Sequence, residues 1–212
     1  MMKDLFADLR PSIENISEGV SLFPAYADTA VLMTQIESIS RLAPFRHMQT
    51  PGGHKMSVAM TNCGKYGWVS GPAGYSYSPR DPLSCDNWPD MPECFRALAQ
   101  SVAGKAGFPD FDPDSCLINR YAPGTKLTPH QDKNERDMRW PIVSVSIGVS
   151  ATFLLYGNTR DGSAKHILLH DGDVLVWGGK ARLYYHGIKT IKTADHALTG
   201  KLRYNLTFRR AG

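Results

Sequence analysis

Arg203-Tyr204-Asn205-Leu206-Thr207-Phe208-Arg209 alternates polar and apolar residues with the two-residue period of a β-strand. Tyr204, Leu206 and Phe208 face one way, and Arg203, Asn205, Thr207 and Arg209 face the other. On a half-exposed strand that polar row simply meets water. Inside a small barrel the two arginines would be buried cations, tolerated only against an anionic partner. A dicarboxylic acid suits them, because a guanidinium grips a carboxylate through two parallel hydrogen bonds. Both readings stay open on this stretch alone. Leu117-Ile118-Asn119-Arg120-Tyr121 repeats the pattern and places Asn119 and Tyr121 on one face, where they could bind the same acid.

Around these two stretches lie further short β runs: Ile142 to Ile147, Thr152 to Tyr156, His166 to Leu169, Asp173 to Trp177 and Leu183 to Tyr185. With Cys116 to Tyr121 and Arg203 to Arg209 they make seven strands separated by turn signals, which predicts a sandwich or jelly roll over residues 113–212. Two helices precede it. Asp28 caps a predicted helix whose apolar residues Val31, Leu32, Ile36, Ile39 and Leu42 recur at helical spacing until Pro44. A second is expected after Asp90, read as N-cap with Glu93 as its capping-box partner. It carries Phe95, Leu98, Ala99, Val102 and Ala106 on one face and ends at Gly107. The fold class is therefore mainly β with flanking helices.

A chain of 212 residues suits one domain, residues 1–212. With 42% hydrophobic and 21% charged residues it is globular, and no apolar run reaches the length of a membrane span. Met1-Met2-Lys3-Asp4-Leu5-Phe6-Ala7-Asp8 carries two early acids and no apolar segment, so it does not read as a secretory signal, and a cytoplasmic location is expected. Cys63, Cys85, Cys94 and Cys116 form no Cys-x-x-Cys pair, which argues for reduced thiols. The net charge of +4 permits a polyanionic partner without demanding one.

His130-Gln131-Asp132 is the candidate chemical centre. In extended chain His130 and Asp132 point to one face, and His186 supplies a second imidazole. Two histidines and a carboxylate on one side of an ion, with the opposite positions open, form the facial triad of non-haem Fe(II) sites. The three-residue pattern alone is common enough to arise by chance, and a surface histidine near a charged loop is the plainer reading.

Between residues 45 and 89 the composition changes. Pro51-Gly52-Gly53, Tyr66-Gly67-Trp68, Gly74-Tyr75-Ser76-Tyr77 and Trp88-Pro89 crowd glycine, proline and aromatic residues together, which predicts a hairpin-rich excursion. Its rings could fill the underside of a long loop. Alternatively the excursion is a lid in which Trp68, Tyr75 and Tyr77 stack on a flat ligand while Lys55, Lys65 and Arg80 approach phosphate.

Taken with Thr50-Pro51-Gly52-Gly53, Met56-Ser57-Val58-Ala59-Met60-Thr61-Asn62-Cys63-Gly64, Asn119-Arg120-Tyr121-Ala122-Pro123-Gly124, Val174-Leu175-Val176-Trp177-Gly178-Gly179 and Tyr185-His186-Gly187-Ile188, these motifs make the chain resemble the AlkB family of 2-oxoglutarate-dependent dioxygenases, which repair alkylated nucleic-acid bases. The resemblance runs from Asp4 to Gly212. It implies a double-stranded β-helix (jelly roll) in which His130, Asp132 and His186 bind Fe(II), and Asn119, Tyr121, Arg203, Asn205 and Arg209 hold 2-oxoglutarate, with O2 as the other co-substrate. It also implies that residues 45–89 form a nucleotide-recognition lid. Trp68 would stack on a flipped base against His130, with Thr50, Met60, Tyr75, Ser76, Tyr77, Asn134 and Arg160 along the path of base and phosphate. Lys126 is a further phosphate contact or a solvated lysine. The implied reaction is oxidative demethylation of bases such as 1-methyladenine and 3-methylcytosine, in single- or double-stranded DNA or in RNA. Formaldehyde is released, and 2-oxoglutarate is converted to succinate and CO2. A monomer is expected. Where the best-known family member has an aspartate just after the metal motif, this chain has Asn134, followed by Glu135. An oxygenase acting on a protein or small molecule is the alternative within the same chemistry, and a non-catalytic metal-holding barrel the alternative outside it.

Overall fold

The strand Arg203–Arg209 lies inside a seven-stranded antiparallel sheet, flanked by strands on both sides. The computed structural model describes residues 10–212, so the N-terminal residues quoted for the resemblance and for the absence of a signal fall outside it. In chain order the elements are β1 (Glu14–Ser17), β2 (Val20–Phe23), α1 (Thr29–Leu42), β3 (Ala59–Gly64), β4 (Gly67–Gly71), β5 (Gly74–Ser78), α2 (Glu93–Lys105), β6 (Ser115–Tyr121), β7 (Leu127–His130), β8 (Ile142–Gly148), β9 (Ala151–Gly157), β10 (Lys165–Leu169), β11 (Val174–Trp177), β12 (Tyr185–Ile188) and β13 (Arg203–Arg209). The large sheet runs β1-β2-β11-β8-β13-β6-β3, a smaller one runs β10-β9-β12-β7, and β4 and β5 form a separate hairpin. None of the described helices is long and apolar enough to cross a membrane.

Both faces of the large sheet are covered, and that answers the question left open by β13. One face packs under the helices: Leu206 and Phe208 join Val143, Val145, Val174 and Val176 against Ile36 of α1 and Phe95 and Val102 of α2. Phe95 meets Phe208 edge-on at 5.9 Å. The other face packs on the smaller sheet, where Leu117, Ile142, Leu175 and Trp177 meet Phe153, Leu155 and Ile188. Alternate residues of one strand thus enter two different cores, which is why β11 reads as a continuous apolar run, whereas β8 is interrupted by Ser144 and Ser146 on the side that meets Asn205 and Arg203. The polar row Arg203, Asn205, Thr207 and Arg209 points between the sheets and is buried.

Several sequence-based expectations change. On α1, Asp28 accepts from the Val31 amide as expected, but Val31 and Leu42 are exposed; the buried stripe is Leu32, Met33, Ile36 and Ile39. At 3.6 residues per turn Val31 falls off that stripe. Asp90 does not cap α2, because Pro92 occupies the N-cap position without a side-chain bond, and a residue preceding proline is driven to extended conformation, which stops the helix from starting earlier. Gly107 does end it, with φ at +93°. The final short run is Tyr185–Ile188 rather than Leu183 to Tyr185. Asp173 sits just before β11, its carboxylate taken by Arg10 and by the amides of Ala25 and His170. Short strands β1, β2 and β7 lacked a strong period in the sequence, and β3 was hidden inside the glycine-rich stretch.

Gly148, at the β8–β9 turn, has φ at +85°, and a Cβ there would lie 2.7 Å from the Leu202 carbonyl oxygen. Gly148→Ala is predicted to cost about 1–3 kcal/mol from the left-handed backbone alone, lowering the melting temperature by roughly 3 °C or more. Gly104 in α2 is the control, since a Cβ there meets only ordinary contact at 3.9 Å, and Gly104→Ala is predicted to stabilise by about 0.5–1 kcal/mol. Thermal melts of the two variants should move in opposite directions; a Gly148→Ala protein as stable as the parent would refute the strain assignment.

Candidate functional site

Strands β7 and β12 pair so that His130 and His186 stand directly opposite, with ring centroids 4.5 Å apart. The close approach needs Gly187, where a Cβ would come within 2.6 Å of the Leu127 carbonyl oxygen. Nδ1 of His130 lies 2.9 Å from the Thr128 carbonyl and Nδ1 of His186 lies 2.9 Å from that of Tyr184. Each Nδ1 therefore donates its hydrogen, which leaves both Nε2 lone pairs for a metal. They aim at Asp132, which stands two residues past the end of β7, with Nε2 to carboxylate distances of 3.7 Å from His130 and 3.6 Å from His186. The three ligand atoms lie within 4.8 Å of one another. Phe153 stacks on His186 at 5.5 Å and Trp177 meets it at 5.0 Å, fixing its plane.

The protonation states suit a metal. Burial, then the neighbouring His186, holds His130 down to about 4, so it is a neutral ligand at neutral pH. Burial pushes Asp132 up, but Arg209 and the two imidazoles outweigh it and hold the carboxyl well below its usual range. Two imidazole nitrogens and one carboxylate oxygen are the donor set of a facial Fe(II) site.

Behind the triad is a buried charge cluster. Arg209 donates from one NH2 to Asp132 at 2.7 Å, and its Nε lies 3.3 Å from Glu135. Arg182 lies 3.0 Å from the other Glu135 oxygen and donates to the Asp132 carbonyl at 2.7 Å. Tyr77 donates its hydroxyl to Glu135 at 2.6 Å. Glu135 and Arg182 escaped the sequence reading as functional residues. Glu135 was visible only as the neighbour of Asn134, and nothing in the spacing of Arg182 marks it.

The register of β6 against β13 sets Asn119 opposite Asn205 and Tyr121 opposite Arg203. Asn119 donates to Asn205 at 3.3 Å, and Asn205 in turn donates to Ser144 at 2.8 Å. Arg203 is fully buried; one NH2 donates to Ser146 at 2.9 Å, and no carboxylate among the described residues pairs with it. Burial lowers its pKa to about 10, which leaves it cationic. The Nε of Arg203, an NH of Arg209 and the carbonyl oxygen of Asn119 have no hydrogen-bond partner among the described residues. Two buried guanidiniums with spare donors, set among amides and a tyrosine, fit a small dicarboxylate. Asn119, Tyr121, Asn205 and Arg209 line one cavity of about 200 Å³ with the triad; Arg203 lies behind that lining.

Thr50, Met60, Trp68, Tyr75 and Asn134 line the same cavity. Trp68, on β4, stacks on Tyr75 of β5 at 5.4 Å and 16°, and both Trp68 and His130 line the cavity. The side chain of Asn62 bonds both the amide and the carbonyl of Trp68 at 3.0 Å, tying the hairpin to β3. Ser76 and Tyr77 line an adjoining pocket instead, and Arg160 stands on the exposed turn between β9 and β10, outside both. Trp88, the second tryptophan of the excursion, is buried scaffold that bonds the Ser78 carbonyl at 3.0 Å.

Residues 19–209 match the family model of the 2OG-Fe(II) oxygenase superfamily. The chain is 53% identical, over its whole length and 99% of the relative's, to the alpha-ketoglutarate-dependent dioxygenase AlkB of Escherichia coli K12. It is 43% identical over 57% of its length, and 33% of the relative's, to the DNA N(6)-methyladenine demethylase ALKBH1D of Arabidopsis thaliana. The solved structure of OsALKBH1 superposes with a TM-score of 0.83 at 28% identity, covering 93% of this chain and 99% of that one. A paired-imidazole and carboxylate face, a buried arginine that backs it and a second beneath the same polar wall, and a likeness to a curated relative over the whole chain agree: the chain belongs to the 2OG-Fe(II) oxygenase superfamily and, within it, to the AlkB family of alpha-ketoglutarate-dependent dioxygenases.

Proposed function

We propose that this enzyme demethylates N-alkylated nucleic-acid bases oxidatively, 1-methyladenine and 3-methylcytosine in DNA first and in RNA also, and acts as a monomer. The observation that carries this reading is one cavity with a metal-ligand face, a cationic polar wall and an aromatic roof, all from one chain. The names of the relatives, an AlkB dioxygenase and a DNA N(6)-methyladenine demethylase, support it.

Each residue has a role in this reading. His130, Asp132 and His186 hold Fe(II), and Arg203, Arg209, Asn119, Tyr121 and Asn205 hold 2-oxoglutarate (alpha-ketoglutarate). Bound together with O2, these cofactors supply the oxidation that hydroxylates the N-methyl group, with 2-oxoglutarate leaving as succinate and CO2. The hydroxymethyl base sheds formaldehyde unaided, so no protein nucleophile or general base is required. The protein's own part is orientation and exclusion of water. Residues 45–89, centred on the β4–β5 hairpin, act as lid over a 113–212 core. Trp68 and Tyr75 cover the base, Thr50 and Met60 bound its pocket, and Asn134 offers an uncharged polar contact at the rim. Ser76 and Tyr77 lie further along the strand's path, and Arg160, exposed and without an ion pair among the described residues, meets phosphate from the β9–β10 turn. A base methylated on its pairing edge pairs poorly and therefore costs less to extrude.

The test is aerobic incubation with Fe(II), 2-oxoglutarate and a single-stranded oligonucleotide carrying one 1-methyladenine, followed by mass spectrometry. Loss of one methylene mass, dependent on 2-oxoglutarate and blocked by chelator, is the expected result. Succinate formed without demethylation would reject the nucleic-acid substrate and keep the oxygenase. Asp132→Ala is expected to abolish both succinate formation and calorimetric Mn(II) binding while retaining a cooperative melt; a fully active variant would sink the metal assignment. Glu135→Gln removes the charge shared by Arg182 and Arg209. It should destabilise by on the order of 3 kcal/mol and raise the KM for 2-oxoglutarate, whereas Tyr77→Phe should cost only about 1 kcal/mol. Equal melting temperatures for parent and Glu135→Gln would show that the cluster contributes nothing.

A further inference from the structure

Beside the mouth of the cavity lies a second pocket of about 210 Å³, lined by Tyr66, Tyr75, Tyr77, Asn134, Arg136 and Gly212 among others. Tyr75 and Asn134 line both pockets, and Asn134 donates to the Tyr75 carbonyl at 3.3 Å. The two pockets therefore share one wall. None of the three tyrosines packs in either hydrophobic core, although Tyr66 is firmly seated: its ring lies over Gly212, where a Cβ would come within 2.5 Å of it. Asp114 holds the floor by accepting from the amides of Ala211 and Gly212 at 2.6 and 3.0 Å. Tyr75 remains 43% exposed even though it stacks on Trp68.

Cations surround these rings. The Lys65 ammonium sits 5.4 Å from the centroid of the Tyr66 ring. Arg136, in the pocket, and Lys65 and Lys133, adjoining its residues in sequence, are exposed, and none pairs with a carboxylate among the described residues. Some surface arginines are neutralised, Arg139 by Asp137 and Arg96 by Asp112; Arg136 is not. A cluster of rings outside the core, beside unpaired cations, is what a nucleotide needs, with ring faces for the base and positive charge for the phosphate.

We propose that this pocket is a second nucleotide subsite, which takes the base and phosphate of the residue next to the flipped base in the same strand. The proposal rests on the nucleic-acid reading of the cavity. The shared wall of Tyr75 and Asn134 explains the geometry: a strand whose flipped base fills the first cavity passes that wall, and its neighbour arrives among Tyr66, Tyr77 and Arg136. Stacking is tolerant of base identity because every base has a π-face, so the subsite favours length of strand over sequence. An enzyme built this way prefers an oligonucleotide to a methylated mononucleotide, and that preference resides in residues away from the metal.

The experiment compares the iron-loaded enzyme with its Tyr66→Leu and Arg136→Gln variants on 1-methyladenine as a mononucleotide and within a pentanucleotide. Binding of an unmethylated fluorescent pentanucleotide to the same proteins is followed by anisotropy across a salt series. Tyr66→Leu should raise the pentanucleotide KM and Kd about fivefold or more, the loss expected for one stacked base, with the mononucleotide KM unchanged. Arg136→Gln, an exposed change that cannot unfold the core, should lower the slope of log Kd against log salt by about 0.7. Unchanged pentanucleotide values in both variants, or mononucleotide and pentanucleotide KM rising in parallel, would overturn the subsite and leave the demethylase reading intact. A parent enzyme that turns over neither substrate would instead overturn that reading.

Discussion

Asp132 stands between a metal-facing surface and a buried arginine, and the rest of the site depends on that position. A carboxylate taken out of water is costly unless it is paired and hydrogen-bonded. Arg209 meets it at 2.7 Å, and Arg209 is in turn balanced by Glu135, which Arg182 holds at 3.0 Å. Two cations and two anions thus neutralise one another in the interior. The pairing keeps Asp132 ionised and fixes its direction, and it leaves a spare donor on Arg209 for a second carboxylate. In the proposed reading one arginine thereby orients a metal ligand and a co-substrate together.

Such a cluster needs a rigid frame, and the large sheet provides it by being buried on both faces. Apolar residues of β8, β11 and β13 fasten it under the two helices, while their alternate residues face the smaller sheet and the cavity. A one-residue slip of β13 would exchange Leu206 and Phe208 for the arginines and put charges under α2. Both cores therefore enforce the register that sets Asn205 against Asn119 and Arg203 against Tyr121.

Much of this was legible in the sequence because period and chemistry coincide. The alternation of Arg203 to Arg209 announced a strand with a polar face, and only the cover of a second sheet, a long-range fact, decided whether that face met water or the interior. His130 and Asp132 could be read as neighbours from their two-residue spacing, but the pairing of β7 with β12 that brings His186 opposite is set by tertiary contacts. Glu135 and Arg182 were illegible as a pair, since forty-seven positions separate them and each looks like an ordinary surface charge. Asp90 looked like a cap because the pattern with Glu93 is right; the proline at position 92 overrode it through local sterics alone.

Glu135 also carries the connection outward. Its second role is to accept the hydroxyl of Tyr77, which belongs to β5 of the hairpin over the cavity. Along β5 alternate residues do different work: Tyr77 reaches down to the charge cluster, and Tyr75, two residues earlier, stacks on Trp68 at the cavity roof. The hairpin is thus anchored at one end to the network that orients Asp132 and at the other to the surface where a base would lie. Displacing the hairpin must either break the Tyr77 hydrogen bond, which leaves a buried carboxylate with one donor fewer, or drag Glu135 and with it Arg209. The cavity roof and the metal-facing carboxylate are for that reason linked through three side chains, Tyr77, Glu135 and Arg209.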